Sequence, residues 1–318
     1  MKKSLGKYLL CVISACLAVV VADKSIGLIM DYLWRSIPVT QDMGKGQYAR
    51  NEVNTDVVVI GSSRAAHHYD ANMLSDSLGL SAYNVGLDGC FFLDNCCVMH
   101  ALMERYSPKI IILEIAADAM YEEASNNLEG LYNYYWNDLY VKDIVDKEEG
   151  WQTGVKLMSS LYRHNANSFK TIGYGIRGLR AGRVEDPLRG YVPIPYREKR
   201  KELELKGSVS DGTELTVSQR KVGLLRGLLA TAMEKGIDVY VITSPSFHRP
   251  NTRFDKSTAA IEATCRTCDA SYWDYSAEPM FLDNPRWFND GAHLNEIGAR
   301  EFTSLIAARI KIAYKTIL

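Results

Sequence analysis

The chain has 318 residues, 47% of them hydrophobic and 24% charged, which is apolar material for one large domain or two small ones. A formal net charge of -1 supplies no global field for nucleic acid or a strongly acidic substrate, so no nucleic-acid partner is expected. The sequence contains no P-loop, no paired CxxC zinc sets, no internal repeat and no low-complexity tract.

The N-terminus opens on a basic leader, Met1-Lys2-Lys3-Ser4-Leu5-Gly6-Lys7, and an apolar-to-small run over residues 8–22. Those 15 residues are short for a bilayer span, which takes about 20. Asp23-Lys24-Ser25 interrupts the run, and Ile26-Gly27-Leu28-Ile29-Met30 resumes it towards Trp34. Three readings fit: a signal anchor, a signal peptide cleaved after Val20-Val21-Ala22, and a lipoprotein acylated at Cys16 in Ile13-Ser14-Ala15-Cys16. With lysines on the inner side, each places residues 40–318 in the extracytoplasmic, periplasmic space. The expected organisation is a membrane anchor or signal segment at 1–36, a polar linker at 37–54 and an α/β domain at 55–318. Of seven cysteines, Cys265-Arg266-Thr267-Cys268 reads as a small disulfide or a free pair, and Cys96-Cys97 as small core residues.

The first strand is Asp56-Val57-Val58-Val59-Ile60, a β-branched run ending at Gly61-Ser62-Ser63-Arg64. A helix is expected from Ser63 through His67 and Leu74 to Leu78, then a strand at Ala82-Tyr83-Asn84-Val85 that exits into Gly86-Leu87-Asp88-Gly89. Helical spacing over residues 91–106 precedes a third strand, Lys109-Ile110-Ile111-Ile112-Leu113-Glu114-Ile115. The alternation lapses over residues 119–216, an insertion, partly helical, that reads as a lid over the crevice or as a solvated accessory layer. Its first part carries Tyr132-Asn133-Tyr134-Tyr135-Trp136, and its later part the basic stretch Arg197-Glu198-Lys199-Arg200-Lys201. The pattern resumes at Ser218 with a helix closed by Lys235-Gly236, a strand Ile237-Asp238-Val239-Tyr240-Val241-Ile242, a helix over 258–268, and a short strand Ser271-Tyr272-Trp273-Asp274. A loop at 287–295 and an amphipathic helix at 296–312 complete the chain. This alternation predicts a flavodoxin-like three-layer α/β/α domain with a mostly parallel five-stranded sheet.

Ligands of such sheets bind beyond the carboxyl ends of the strands, which is where Ser62 and Ser63 fall. A serine hydroxyl needs an imidazole to take its proton, and the imidazole needs a group to hold its tautomer. Asp290-Gly291-Ala292-His293 offers both in one tight loop. These blocks resemble those of the SGNH (GDSL-like) hydrolase superfamily, over roughly residues 55–118 and 218–312 but not the insertion. The resemblance implies Ser63 as nucleophile, His293 as base, Asp290 as its partner, and Gly89 with the Ser63 N–H as oxyanion-hole donors. It also implies no metal and no organic cofactor.

Two positions depart from the family pattern. Ser62 stands where an acidic residue usually precedes the nucleophile, which makes it a rival nucleophile or a substrate contact. Asp118 stands near the usual oxyanion-hole asparagine, where an ionised carboxylate would repel the oxyanion. Asp118 is then protonated or turned away, or the hole relies on Ser63 and Gly89 alone, or Asn133 from the insertion takes the role. Arg64, a candidate for a substrate carboxylate or a surface helix start, and Trp136, a candidate for stacking on sugar rings or for packing, complete the expected substrate contacts. His67 and His68 read as packing or surface histidines.

The G-S-S opening behind a membrane segment resembles envelope acyl-handling members: polysaccharide O-acetyl transferases and esterases, and the D-alanyl-transfer protein of teichoic-acid modification. The expected function is a serine esterase or O-acyltransferase acting on an acylated cell-envelope glycan. The alternative from another class is a catalytically silent, membrane-anchored scaffold or glycan-binding module. A peptidase with the same triad is a third reading, without the G-x-S-x-G elbow.

Overall fold

The computed structural model of the protein describes residues 2–182, 184–198, 215–247 and 252–317. In chain order the elements are α1 (Lys2–Arg35), α2 (Asp42–Asn51), β1 (Val57–Ile60), α3 (Ser63–His68), α4 (Ala71–Leu78), β2 (Ala82–Asn84), α5 (Phe92–Arg105) and β3 (Ile110–Glu114). They continue with α6 (Leu139–Glu149), α7 (Trp151–Lys156), α8 (Ser160–His164), α9 (Ser168–Ala181), α10 (Gln219–Glu234) and β4 (Asp238–Thr243). The last are α11 (Asp255–Thr267), β5 (Ser271–Asp274), α12 (Pro279–Leu282) and α13 (Glu296–Ile317). The chain forms two compact units, Met1–Gly44 with Leu128–Val184, and Lys45–Asn127 with Glu185–Leu318.

The second unit is the α/β domain. Its sheet has the order β2-β1-β3-β4-β5, every pairing parallel, which is the flavodoxin-like order. The Val57–Ile60 and Ile110–Glu114 strands are buried at every position, as expected for parallel strands covered on both faces. The core on one face gathers Tyr69, Phe281, Phe288 and Phe302, none of them exposed. From β1 the chain moves one way to β2 and returns to place β3 on the other side. The switch point therefore lies between β1 and β3, with Gly61-Ser62-Ser63 leaving one strand and Ile115-Ala116-Ala117-Asp118 leaving the other. Gly61 is required by close approach: a Cβ there would come within 2.7 Å of the Cβ atoms of both Ala65 and Glu114.

The helix expected over 63–78 is two helices. Tyr69 is extended and Asp70 starts α4 by accepting hydrogen bonds from the Asn72 and Met73 N–H groups. The stretch expected as linker contains α2, and α13 runs on to Ile317. Cys265 and Cys268 are buried and form no disulfide, and Cys96 and Cys97 are likewise buried outside any disulfide. Lys199, Arg200 and Lys201 of the basic stretch lie outside the described residues.

In the first unit, α1 is a single helix, and Leu5–Arg35 is long and apolar enough to cross a membrane. The polar break that interrupts its apolar run is a docking stripe. Asp23, Gly27 and Asp31 recur at helical i, i+4, i+8 spacing and receive α8. The Asp23 carboxylate accepts from the Ser159 hydroxyl at 2.7 Å and from the Ser160 and Leu161 N–H groups at 2.9 and 3.0 Å, capping α8 from outside. A Cβ on Gly27 would come 2.3 Å from the Ser160 Cβ. Asp31 pairs with Arg163 and His164, each at 2.8 Å. Helix α9 packs alongside through Thr171, Gly175 and Gly178; a Cβ on Gly175 would meet Leu33 O at 2.5 Å, and one on Gly178 would overlap Ser36 O.

Candidate active site

Ser63 is the first residue of α3, so its own N–H belongs to the set that no intrahelical carbonyl satisfies. Its Oγ lies 2.9 Å from His293 Nε2. His293 Nδ1 lies 3.0 and 3.1 Å from the two carboxylate oxygens of Asp290. With Nδ1–H donating to Asp290, Nε2 carries the lone pair that faces the serine hydroxyl.

The loop that delivers Asp290 and His293 is held at its neck by the bridge between Phe288 and Leu294, both fully buried. Inside it, Asp290 Oδ1 accepts from the Ala292 and His293 N–H groups at 2.8 and 3.0 Å, so the carboxylate shapes the turn that presents the imidazole. Burial opposes its charge, but the bonds from His293 and Ala292 outweigh burial and hold its carboxyl below the usual range. Asn295 follows at once and caps α13 by accepting from the Ile297 and Gly298 N–H groups.

Beneath the site runs a buried polar chain. Leu294 N–H donates to His68 Nε2 at 2.9 Å, which leaves His68 Nδ1–H to donate to Ser244 Oγ at 2.8 Å. The Ser244 hydroxyl donates to Glu114 Oε1 at 2.9 Å, and the Tyr69 hydroxyl to Oε2 at 2.6 Å. Arg64 Nε completes the set, 3.2 Å from Glu114 Oε1. Complete burial raises the Glu114 pKa against the opposing Arg64 charge. Burial also drives His68 well below the ordinary imidazole range, so it is neutral. Arg64 is therefore an internal ion-pair partner with 13% side-chain exposure, and its Nη2 is buried without a partner.

His67 stands edge-on to the His293 ring, centroids 5.6 Å apart. Its Nδ1 donates to Val192 O at 2.6 Å and its Nε2 faces Asp88 Oδ1 at 3.2 Å, a pairing that needs both ring nitrogens protonated. Burial works against this charge, but the bonds to Asp88 and Val192 prevail and raise its pKa, while His67 in turn lowers that of Asp88. The raised folded-state pKa means that the pair's contribution is complete below about 6.5, the unfolded value, and is lost as pH rises through the folded value. The depressed Asp88 sets the acid limit, since that contribution is lost as pH falls below the carboxylate range. The stability difference between the wild type and His67→Gln is expected to be largest near pH 6 and to shrink by pH 9, read from urea midpoints across that range.

A cavity of about 330 Å³ opens beside the serine. Ser62, Arg64, Asp118 and His293 line it together with Ser63, as do Phe91, Asn95 and Lys221. Asp118 is exposed, and its side chain has no hydrogen-bond partner among the described residues. Asn95, on the first turn of α5, is 7% exposed, and its amide also has no partner among the described residues. Gly89 has φ +70°, a left-handed conformation that favours glycine, on the loop that Asp88 ties to His67. Asn133 and Trp136 belong to the first unit, where the Trp136 indole donates to Leu157 O at 3.0 Å.

These observations define a class: a flavodoxin-like α/β domain with a hydrogen-bonded serine, histidine and aspartate at its topological switch point. No known family profile matches the sequence, and no curated protein does. Among solved structures, the chain is similar to a GDSL-like lipase from Bacteroides thetaiotaomicron, with 12% identity over 87% of this chain and 100% of that one and a TM-score of 0.42. It is similar to a lipase/acylhydrolase from Enterococcus faecalis at 12% identity, 80% and 94% coverage and a TM-score of 0.40. A carbohydrate acetylesterase from Sinorhizobium meliloti follows at 9% identity, 81% and 98% coverage and a TM-score of 0.38. The chemistry is argued from the residues themselves.

Proposed function

We propose that the protein is a membrane-anchored serine esterase or O-acyltransferase that acts on acyl esters of an extracytoplasmic, cell-envelope glycan. The observation that carries this reading is the 2.9 Å approach of Ser63 Oγ to a His293 ring whose other nitrogen is held by Asp290. In the first half-reaction Ser63 Oγ attacks the ester carbonyl while His293 Nε2 takes its proton. The tetrahedral oxyanion is met by the N–H groups of Ser63 and Gly89, and collapse expels the alcohol, which receives the proton from His293. In the second half-reaction His293 deprotonates the acceptor, which attacks the acyl-serine. Water as acceptor gives hydrolysis and a sugar hydroxyl gives transfer. Asp290 stabilises the imidazolium in both halves. The Asn95 amide supplies polar contact to the substrate where Asp118, a carboxylate, cannot donate.

Covalent labelling of the full-length protein in detergent micelles with a fluorophosphonate probe tests the assignment. One adduct is expected, on Ser63 by peptide mapping, lost in Ser63→Ala and strongly slowed in His293→Ala. An adduct on Ser62 would move the nucleophile by one residue. No adduct on folded protein would favour the silent glycan-binding module instead.

A further inference from the structure

The helical unit has an outer surface unlike that of a solvated accessory layer. On α9, Phe169, Ile172, Ile176 and Leu179 follow one another at spacings of three, four and three, which sets them on one helical face. All four are exposed, Phe169 by 90%. The opposite requirement, contact with α1, is met by the separate stripe of Thr171, Gly175 and Gly178. The remaining side carries Lys170, Arg177 and Arg180, and α9 has no acidic residue. Leu161 of α8, Val155 of α7 and Met158 are further exposed apolar side chains of this unit. An apolar face flanked by cations is the composition of helices that lie at a membrane surface.

The level of α1 at which this unit docks gives the face its occupant. Helix α1 rises about 51 Å at 1.5 Å per residue, well beyond a hydrocarbon core of about 30 Å. Residues 9–29 alone cover roughly 31 Å, and on one side of the helix their apolar exposure persists through Leu28 and Ile29 to Tyr32. The other side, over the same turns, is the Asp23, Gly27 and Asp31 stripe covered by α8. A charged residue within a span is tolerated where protein satisfies it, as α8 does here for both aspartates. Helices α8 and α9 thus meet α1 at the height where its lipid-facing residues give out.

We propose that α8 and α9 form a second membrane attachment, embedded in the interfacial zone of the leaflet where α1 ends. Phe169, Ile172, Ile176 and Leu179 enter the acyl boundary, and Lys170, Arg177 and Arg180 engage anionic phospholipid headgroups. The inference rests on α1 being a membrane span. It is independent of the chemistry assigned to Ser63.

The test is depth measurement by nitroxide labels on the full-length protein in vesicles of phosphatidylcholine and phosphatidylglycerol. Cys11 and Cys16, the exposed cysteines of α1, and the half-buried Cys90 are replaced by alanine, and one labelling cysteine at a time is placed at Leu17, Phe169, Ile176 or Arg266. Labels at Leu17, Phe169 and Ile176 should be more accessible to oxygen than to an aqueous nickel chelate, with the reverse at Arg266. A label at Leu17 in lipid with Phe169 and Ile176 behaving like Arg266 would overturn the second attachment and leave the anchor standing. Aqueous behaviour at Leu17 would overturn the anchor reading itself. Shielding of Phe169 from both reagents would mean that a protein surface, a second copy or another chain, covers the face, and would also overturn the proposal. With Lys170→Glu, Arg177→Glu and Arg180→Glu combined, the lipid signal at Phe169 should fall in phosphatidylglycerol vesicles towards its value in phosphatidylcholine alone. An unchanged signal would refute the headgroup contact.

Discussion

Ser63→Ala is expected to lower kcat for hydrolysis of a small activated acetyl ester by roughly 10³- to 10⁶-fold, with little change in thermal stability. The Ser63 hydroxyl is partly exposed and its one side-chain partner among the described residues is His293 Nε2, so removing it leaves no buried group there orphaned. His293→Ala should fall by a similar factor, and the double variant should be no worse than either single one, because the two act as a unit. Asp290→Ala should lose activity as well, and it alone should loosen the loop, since its carboxylate also holds the Ala292 and His293 N–H groups. Ser62→Ala makes the informative control. Its side chain lines the same cavity but makes no hydrogen bond among the described residues, and its activity should stay within about tenfold of wild type. Steady-state rates with circular dichroism on each variant decide the matter. A Ser62→Ala loss equal to that of Ser63→Ala would sink the assignment.

Glu114→Ala is expected to destabilise the α/β unit by about 3–5 kcal/mol, the range for a buried ion pair broken on one side. The substitution strands Arg64, whose Nη2 already lacks a partner, and removes the acceptor of Tyr69 and Ser244 together. Because Ser244 also receives the proton of His68 Nδ1, the loss should reach the loop that His68 braces through Leu294 N–H. The pair's net worth is a different quantity from the cost of breaking it. Arg64→Met combined with Glu114→Leu removes both charges and should cost much less than Glu114→Ala alone, provided the volume is filled. Urea denaturation midpoints of the three proteins separate these cases. Equal losses in the single and double variants would show that packing, and not the stranded guanidinium, sets the penalty.

Strands β1 and β3 were legible in the sequence because they are buried at every position and so appear as unbroken apolar runs rich in β-branched residues. The close approach of Ser63 to the loop of Asp290 and His293 followed from strand polarity, since all parallel strands deliver their exits to one edge. What the sequence left dark is interaction at a distance. Glu114 read as the polar end of a strand, and nothing nearby signals that Arg64, Tyr69 and Ser244 converge on it. His67 and His68, adjacent in sequence, sit in opposite environments: Asp88 and Val192 raise the pKa of the first, and burial keeps the second neutral in the core. Asn95 was hidden inside an apolar helical pattern. Asp23 appeared to weaken a membrane span because its partners, Ser159, Ser160 and Leu161, come more than a hundred residues later.

The polar chain under the site also orders events in time. Ser63 leaves the ribosome early, whereas the neck formed by Phe288 and Leu294, the Asn295 cap and α13 come last. Until that segment docks, His68 has no Leu294 N–H to accept from and the Ser63 hydroxyl has no imidazole beside it. A chain stopped before Asp290 carries the Ser63 hydroxyl with neither His293 nor its carboxylate partner, and lacks the Phe302, Ile306 and Ile310 side chains that α13 packs into the core.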